Sequence, residues 1–182
     1  TDKINSHHIK KYLKKGDLRV QSPSSGLIVD LLDIKRNEEV IDACAAPGGK
    51  ASHILELVNR DNLFWVNDNH KRRYDKLKKD FQSYEINFLC KDASSDRFSY
   101  ADKILLDVPC SSIGTIQKNP DIKWKKIDFN KLSELQFKIL QNMSKSLKSK
   151  GAIVYSTCSM SNKENFRVIQ KFLNLNSNFK ID

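Results

Sequence analysis

The 182-residue sequence has no long hydrophobic run. Its hydrophobic residues, 39% of the total, fall in short stretches, none near the ~18 consecutive apolar residues that span a bilayer as a helix. A secretory leader pattern is also missing, because the first fifteen residues, TDKINSHHIKKYLKK, are polar and basic with no apolar centre. Cysteine is sparse. The four, Cys44, Cys90, Cys110 and Cys158, lie 46, 20 and 48 positions apart, so no pair has the close spacing of a zinc knuckle or a redox motif. The four histidines offer no ligand spacing with them. Adjacent His7 and His8 belong to a tail-like basic leading segment, residues 1–19, where solvated side chains are expected. No internal repeat and no low-complexity linker divides the chain. These absences lead us to expect one domain over residues 1–182, reduced thiols, no metal, no membrane partner and a cytoplasmic setting, with nucleolar and organellar compartments left open.

What is abundant is positive charge: 32 Lys plus Arg against 22 Asp plus Glu, a net +10 and an isoelectric point near 9.4. That balance favours a polyanionic partner such as nucleic acid. Only seven of the 32 are arginines, so solvated lysines of a Lys- and Asn-rich chain are the plainer reading.

Short apolar runs, Val40–Cys44, Leu63–Asp68, Ile86–Asp92, Lys103–Pro109 and Gly151–Cys158, read as buried strands. Between them lie helical stripes: Ala51, Ile54, Leu55 and Val58, then Tyr74, Leu77, Phe81 and Tyr84. A third, Leu132, Leu135, Ile139, Met143 and Leu147, ends where Gly151 can stop a helix. A last helix through Phe166, Ile169 and Leu173 is preceded by Ser161 and Glu164 in the S-x-x-E spacing of a capping box. Alternating strands and helices predict an open, mostly parallel α/β sheet flanked by helices, whose ligands bind beyond the carboxyl ends of the strands. Asp42 with Cys44, Asp68, Asp92, Asp107 with Cys110, and Cys158 all stand at or just past strand ends, so this topology gathers them on one rim.

The segment DACAAPGGKASHIL joins the first strand to a helix, as a backbone-cradled anion or nucleotide site requires. It is not a P-loop, since Cys44 and Ala51 occupy places that need Gly and Ser or Thr, nor is it G-x-G-x-x-G, since Ala45, Ala46 and Pro47 interrupt that pattern. Asp68 sits where an acid binds ribose hydroxyls in dinucleotide-type folds, or where it caps the next helix. Asp92 has the same two readings, cofactor contact or cap of a turn. Cys90 reads as a small core residue, and Cys44 as packed within its loop.

Together, DACAAPGGK, LLDVPCSSIGT, NPDIKW and YSTCSMSNKEN resemble the signature of the RNA cytosine-5 methyltransferases of the NOP/NSUN/Sun type, most of all its bacterial small-subunit rRNA group. The similarity runs from Val20 to about Leu173. It implies a Rossmann-like class I methyltransferase fold and an S-adenosylmethionine site made by Cys44, Ala45, Ala46, Pro47, Gly48, Gly49 and Lys50, with Asp68, Asp92 and Asp107. It also implies that Cys158 is the nucleophile and that Cys110 assists release of the methylated RNA. Asp107 then sits beside cofactor and base, and Lys50 orients Asp107 or the base.

That chemistry suits the residue types. Carbon 5 of cytosine becomes nucleophilic once a thiolate adds at carbon 6, and an ordinary thiol near pKa ~8.5 needs a setting that favours thiolate. The basic stretch after Cys110, with Lys118, Lys123, Lys125 and Lys126 around Trp124, suits a single-stranded RNA path, or is a solvated loop with Trp124 packed down. The resemblance also leads us to expect a fragment: a sheet short of its last two strands and a monomer acting on RNA, rRNA or alternatively tRNA. The competing reading is a cofactor- or RNA-binding module without turnover in this truncated form.

Overall fold

A computed structural model describes residues 6–15, 18 and 20–182. Five strands, β1 (Glu39–Asp42), β2 (Leu63–Asn67), β3 (Asn87–Leu89), β4 (Ala101–Asp107) and β5 (Leu147–Ser156), form one sheet in the order β3-β2-β1-β4-β5. All four pairings are parallel. The expected strands are thus all present, in the doubly wound order of a Rossmann-like fold.

Among the described residues, six α-helices accompany the sheet: α1 (Ser6–Lys15), α2 (Pro23–Asp30), α3 (Gly49–Leu57), α4 (Lys71–Asp80), α5 (Phe129–Met143) and α6 (Phe166–Leu175). Strands buried on both faces explain the continuous apolar runs. Val40, Phe64, Val66 and Leu105 pack under α2, α3 and α4 with Ile54, Leu77 and Phe81. Ile41, Ile104 and Leu106 face the other way, onto Phe137, Leu140 and Met143 of α5 and Val168 and Phe172 of α6.

Four readings of the sequence change. The leading segment is not simply a tail, since it contains α1; the side chains of His7 and His8 lie outside the described residues. The third helix stops at Met143, and Leu147 opens β5 after a short turn. Gly151 lies inside β5, where a Cβ would come within 2.6 Å of the Asp102 carbonyl oxygen, at a bulge that sets Ala101 opposite Leu147 but Lys103 opposite Ala152. No capping box forms at Ser161 and Glu164: α6 begins later, at Phe166, because the Glu164 carboxylate is bonded elsewhere. Cys90 is exposed, not core, because it follows β3 at the edge of the sheet. Helix α2 was not expected; Ser22 caps it and Pro23 opens it. Among the described residues, no helix is long and apolar enough to cross a membrane.

Candidate active site

The carboxyl ends of β1, β2, β4 and β5 carry the site. Beyond β1 the chain is tied down on both sides: Ala43 N–H donates to the Leu105 carbonyl at 3.0 Å, and Ala45 N–H to the Asn67 carbonyl at 2.8 Å. Buried Asn67 gives its Nδ2 to the carbonyls of Ala43 and Lys91 and takes the Lys91 N–H on Oδ1, joining three strand ends. Sequence reasoning missed it; an asparagine inside an apolar strand was the available signal. Gly48 turns the chain into α3 with φ +104°, and a Cβ there would lie 2.7 Å from Phe81. At Gly49 a Cβ would meet nothing within 4 Å, so the backbone of the first turn of α3 is open to a ligand.

Asp42 ends β1 at 1% exposure. Its Oδ1 accepts the Cys44 N–H at 3.3 Å, and its Oδ2 is buried without a partner. Burial and the Asp107 charge push its carboxyl up to about 7. Cys44 is half-buried in the loop, and burial pushes its thiol well up, which makes it inert. Asp68 is buried; its Oδ1 takes the His70 N–H at 2.8 Å and Arg73 Nε at 3.0 Å. Exposed Asp92 accepts both the Ser94 N–H and hydroxyl, in a turn closed by Asp96 N–H on its carbonyl.

At the ends of β4 and β5, Asp107 and Ser156 stand opposite each other in register. Ser156 Oγ donates to Asp107 Oδ1 at 2.9 Å, and Lys50 Nζ to Oδ2 at 2.6 Å. Three residues beyond Asp107 is Cys110, whose Sγ lies 3.0 Å from Cys158 Sγ. Both are free cysteines. The Cys158 N–H points at Cys110 Sγ at 3.3 Å, and Ser112 Oγ lies 3.1 Å from Cys158 Sγ. Hydrogen bonding from the Cys110 thiol outweighs burial and, with Ser112, holds Cys158 down at about 6. The same shared proton pushes Cys110 far up. The two thiols thus share a proton across a 3.0 Å contact.

The chain beyond Cys110 presses on the chain beyond Cys158: Gly114 N–H donates to the Cys158 carbonyl at 3.0 Å, where a Cβ on Gly114 would come within 2.8 Å. Asn165 Nδ2 holds the Ser159 carbonyl, and its Oδ1 takes the Thr157 hydroxyl. Farther along, Ile122 is buried while Trp124 is 89% exposed, which removes the reading of Trp124 packed down. Lys118, Lys123, Lys125 and Lys126 are exposed around it, Lys125 paired with Asp121 at 2.7 Å. A cleft of about 750 Å³ between this segment and α5 reaches Cys110 and Ser112 and is lined by Lys125, Lys126 and Lys131. Among the described residues, no cluster of three His, Cys, Asp or Glu side chains could hold a metal ion.

A model of the 16S rRNA methyltransferases RsmB/F matches residues 29–182. The chain belongs to this family. The ribosomal RNA small subunit methyltransferase B of Yersinia pseudotuberculosis is 37% identical over 166 residues, 87% of this chain and 38% of that protein. Among solved structures, PH0851 is similar with a TM-score of 0.84 and 36% identity over 90% of this chain and 39% of that one. NSun6 from Pyrococcus horikoshii, solved with SFG, has a TM-score of 0.82 and 28% identity over 91% of this chain and 44% of that one. The chain thus spans about 40% of the length of the RsmB relatives it matches. The likeness to these family structures identifies the five-stranded sheet as the Rossmann-like methyltransferase fold.

Proposed function

We propose that this chain is the catalytic domain of an RNA cytosine-5 methyltransferase that acts on rRNA as a cytoplasmic monomer and attacks carbon 6 of cytosine through Cys158. The observation that carries this reading is the 3.0 Å contact of Cys158 with Cys110 next to the Asp107–Lys50 pair. A lone strand-end thiol needs neither a thiol donor nor an adjacent acid held by a cation.

The cofactor is S-adenosylmethionine, whose analogue SFG accompanies the NSun6 structure. The residues present suit it. Cys44 to Lys50, with Ala45, Ala46, Pro47, Gly48 and Gly49, make the loop after β1 and the opening turn of α3, where a Cβ on Gly49 would meet nothing within 4 Å. Asp42 brings a buried carboxyl oxygen without a partner, and Asp68 and Asp107 bring acceptors for hydroxyl and cationic groups. Asp92 extends this acidic rim from the end of β3. When bound, S-adenosylmethionine supplies an electrophilic methyl group.

Cys158, ionised at neutral pH, adds its lone pair to carbon 6, and the ring double bond moves its pair toward carbon 5. Both Asp107 oxygens accept from protein donors, so Asp107 meets the base as an acceptor matched to the exocyclic amino group of cytosine. The Lys50 ammonium is the cation beside the charge that builds on the ring. After methylation, the carbon 5 proton passes to water, its bonding pair restores the double bond and expels Cys158 as thiolate, and the Cys110 thiol donates to the departing sulfur. Lys118, Lys123, Trp124, Lys125 and Lys126 take the flanking strand by stacking and phosphate contact.

The test compares Cys158→Ala with Cys110→Ala in the full-length protein on rRNA with labelled cofactor. The first forms no covalent adduct, and the second accumulates one. Full activity of Cys158→Ala beside a dead, adduct-free Cys110→Ala overturns the reading.

A further inference from the structure

Glu164 is fully buried, carries no catalytic assignment, and has no cation among its hydrogen-bond partners. Four donors converge on its carboxylate instead. Oε1 accepts the Ser111 N–H at 2.8 Å and Gln136 Nε2 at 3.0 Å, while Oε2 accepts the hydroxyls of Ser111 and Ser159, both at 2.5 Å. Ser111 directly follows Cys110, and Ser159 directly follows Cys158. One carboxylate oxygen therefore pins the residue after each cysteine, and the two hydroxyls also touch each other at 3.0 Å. Gln136, from α5, bridges the same carboxylate to the Pro109 carbonyl at 2.8 Å, so the residues on both sides of Cys110 are held. Tyr155 fixes the Glu164 backbone through its carbonyl at 2.7 Å.

We propose that Glu164 is a positioning residue for the covalent chemistry, a buried carboxylate clamp that holds the strand-end loops of Cys110 and Cys158 in the arrangement that lets their sulfurs meet. The role rests on the reading of Cys158 as nucleophile. Burial opposes the charge on Glu164, but the bonds from Ser111, Ser159 and Gln136 hold its carboxyl below the usual range, so it is ionised at neutral pH. Apolar packing could hold two loops together as well, but it would not fix direction. Four charge-assisted bonds on two oxygens do. Losing the carboxylate leaves two seryl hydroxyls, one amide N–H and the Gln136 amide to find new partners in a closed space, and the loops shift to satisfy them.

The test uses the full-length enzyme with Glu164→Ala, Glu164→Gln and the double variant Ser111→Ala/Ser159→Ala. Iodoacetamide labelling of Cys158, read by peptide mass spectrometry across pH, reports the thiol pair without any RNA substrate. Cofactor affinity reports whether the neighbouring rim has kept its shape. Glu164→Ala is expected to move the labelling midpoint up from about 6 toward the ordinary thiol range. The shift should be about one pH unit or more, with cofactor affinity within about threefold and kcat on rRNA down about 100-fold at little changed KM. Glu164→Gln, which keeps an oxygen for the Ser111 N–H, should fall between the two, and the double serine variant should reproduce part of the shift even if Glu164→Ala fails to fold. An unchanged midpoint in any of the three that retains cofactor binding overturns the clamp, as does a midpoint that moves only together with loss of cofactor binding. If the wild-type enzyme labels with a midpoint near 6 but never methylates RNA, the proposed function fails while the clamp is still decided by the labelling.

Discussion

Lys50 and Asp107, 57 positions apart, meet in a 2.6 Å ion pair in which Lys50 is nearly buried and Asp107 is one-third exposed. The cation stands in the first turn of α3 and the acid ends β4, so the pair ties the start of α3 to the end of β4.

Lys50→Met removes the cation and leaves Asp107 bonded to Ser156 alone. Single-turnover methyl transfer at saturating cofactor should slow by about 100- to 1,000-fold, the usual loss when a preorganised charge partner is removed. An effect below about threefold would show that Lys50 is only a solvated neighbour of Asp107.

Gly48 and Gly49 should respond oppositely to alanine. At Gly48 the left-handed φ and the 2.7 Å approach to Phe81 make a methyl group strained and overpacked, a cost of about 1–3 kcal/mol that thermal unfolding will detect. At Gly49 there is free space around a Cβ, so Tm should hold or rise, while calorimetric affinity for S-adenosylmethionine falls about tenfold or more because the open first turn of α3 is covered.

Asp42 sets a pH dependence of stability. Its folded pKa, about 7, lies above the ordinary carboxylate value near 3.9, so between those pH values the native state keeps a proton that the unfolded chain releases. Stability therefore falls as pH rises from about 4 to about 7, and is level above that. Asp42→Asn removes the titration. The drop in Tm between pH 5 and pH 8 should shrink by about 5–10 °C, corresponding to roughly 2–3 kcal/mol; an unchanged slope would mean that Asp42 is ionised in the native state throughout.

Trp124, at 89% exposure, has nothing to lose by truncation in the folded protein. Trp124→Ala should leave Tm unchanged and weaken binding of single-stranded RNA about tenfold. Replacing Lys118, Lys123, Lys125 and Lys126 with Gln should flatten the salt dependence of that binding by roughly 0.7 per lost phosphate contact in the log–log slope. If Trp124→Ala instead lowers Tm and spares RNA affinity, the segment is structural.

The sheet was legible because parallel strands covered on both faces must be apolar along their length, as in Val40–Asp42 and Ile104–Leu106. Their alternation with helices then implies that Asp42, Cys44, Asp68, Asp92, Asp107, Cys110 and Cys158 share one rim. What stayed hidden was the choice of partner. Ser161 and Glu164 have the spacing of a capping box, yet spacing cannot register that Ser111 and Gln136, from two distant parts of the chain, and nearby Ser159 compete for the same carboxylate and win. Leu147 continued a helical stripe because its apolar character serves a strand equally well. Cys90 carried no mark of its exposure, which follows from strand order, and strand order is a property of the whole sheet. Asn67 is only a polar residue inside the apolar run Leu63–Asp68 in the sequence, although it closes the hydrogen bonding of β1, β2 and β3.

The register of β4 on β5 also has a bearing on how the site assembles. A slip of one residue would turn Ser156 to the opposite face from Asp107 and carry Cys158 about 3.3 Å along its strand, away from Cys110. Parallel strands this far apart in the chain pair slowly, since the intervening loop must close before any contact rewards it. The contact between the two sulfurs therefore forms in the same step that docks β5 on β4, which makes it a marker of the completed sheet.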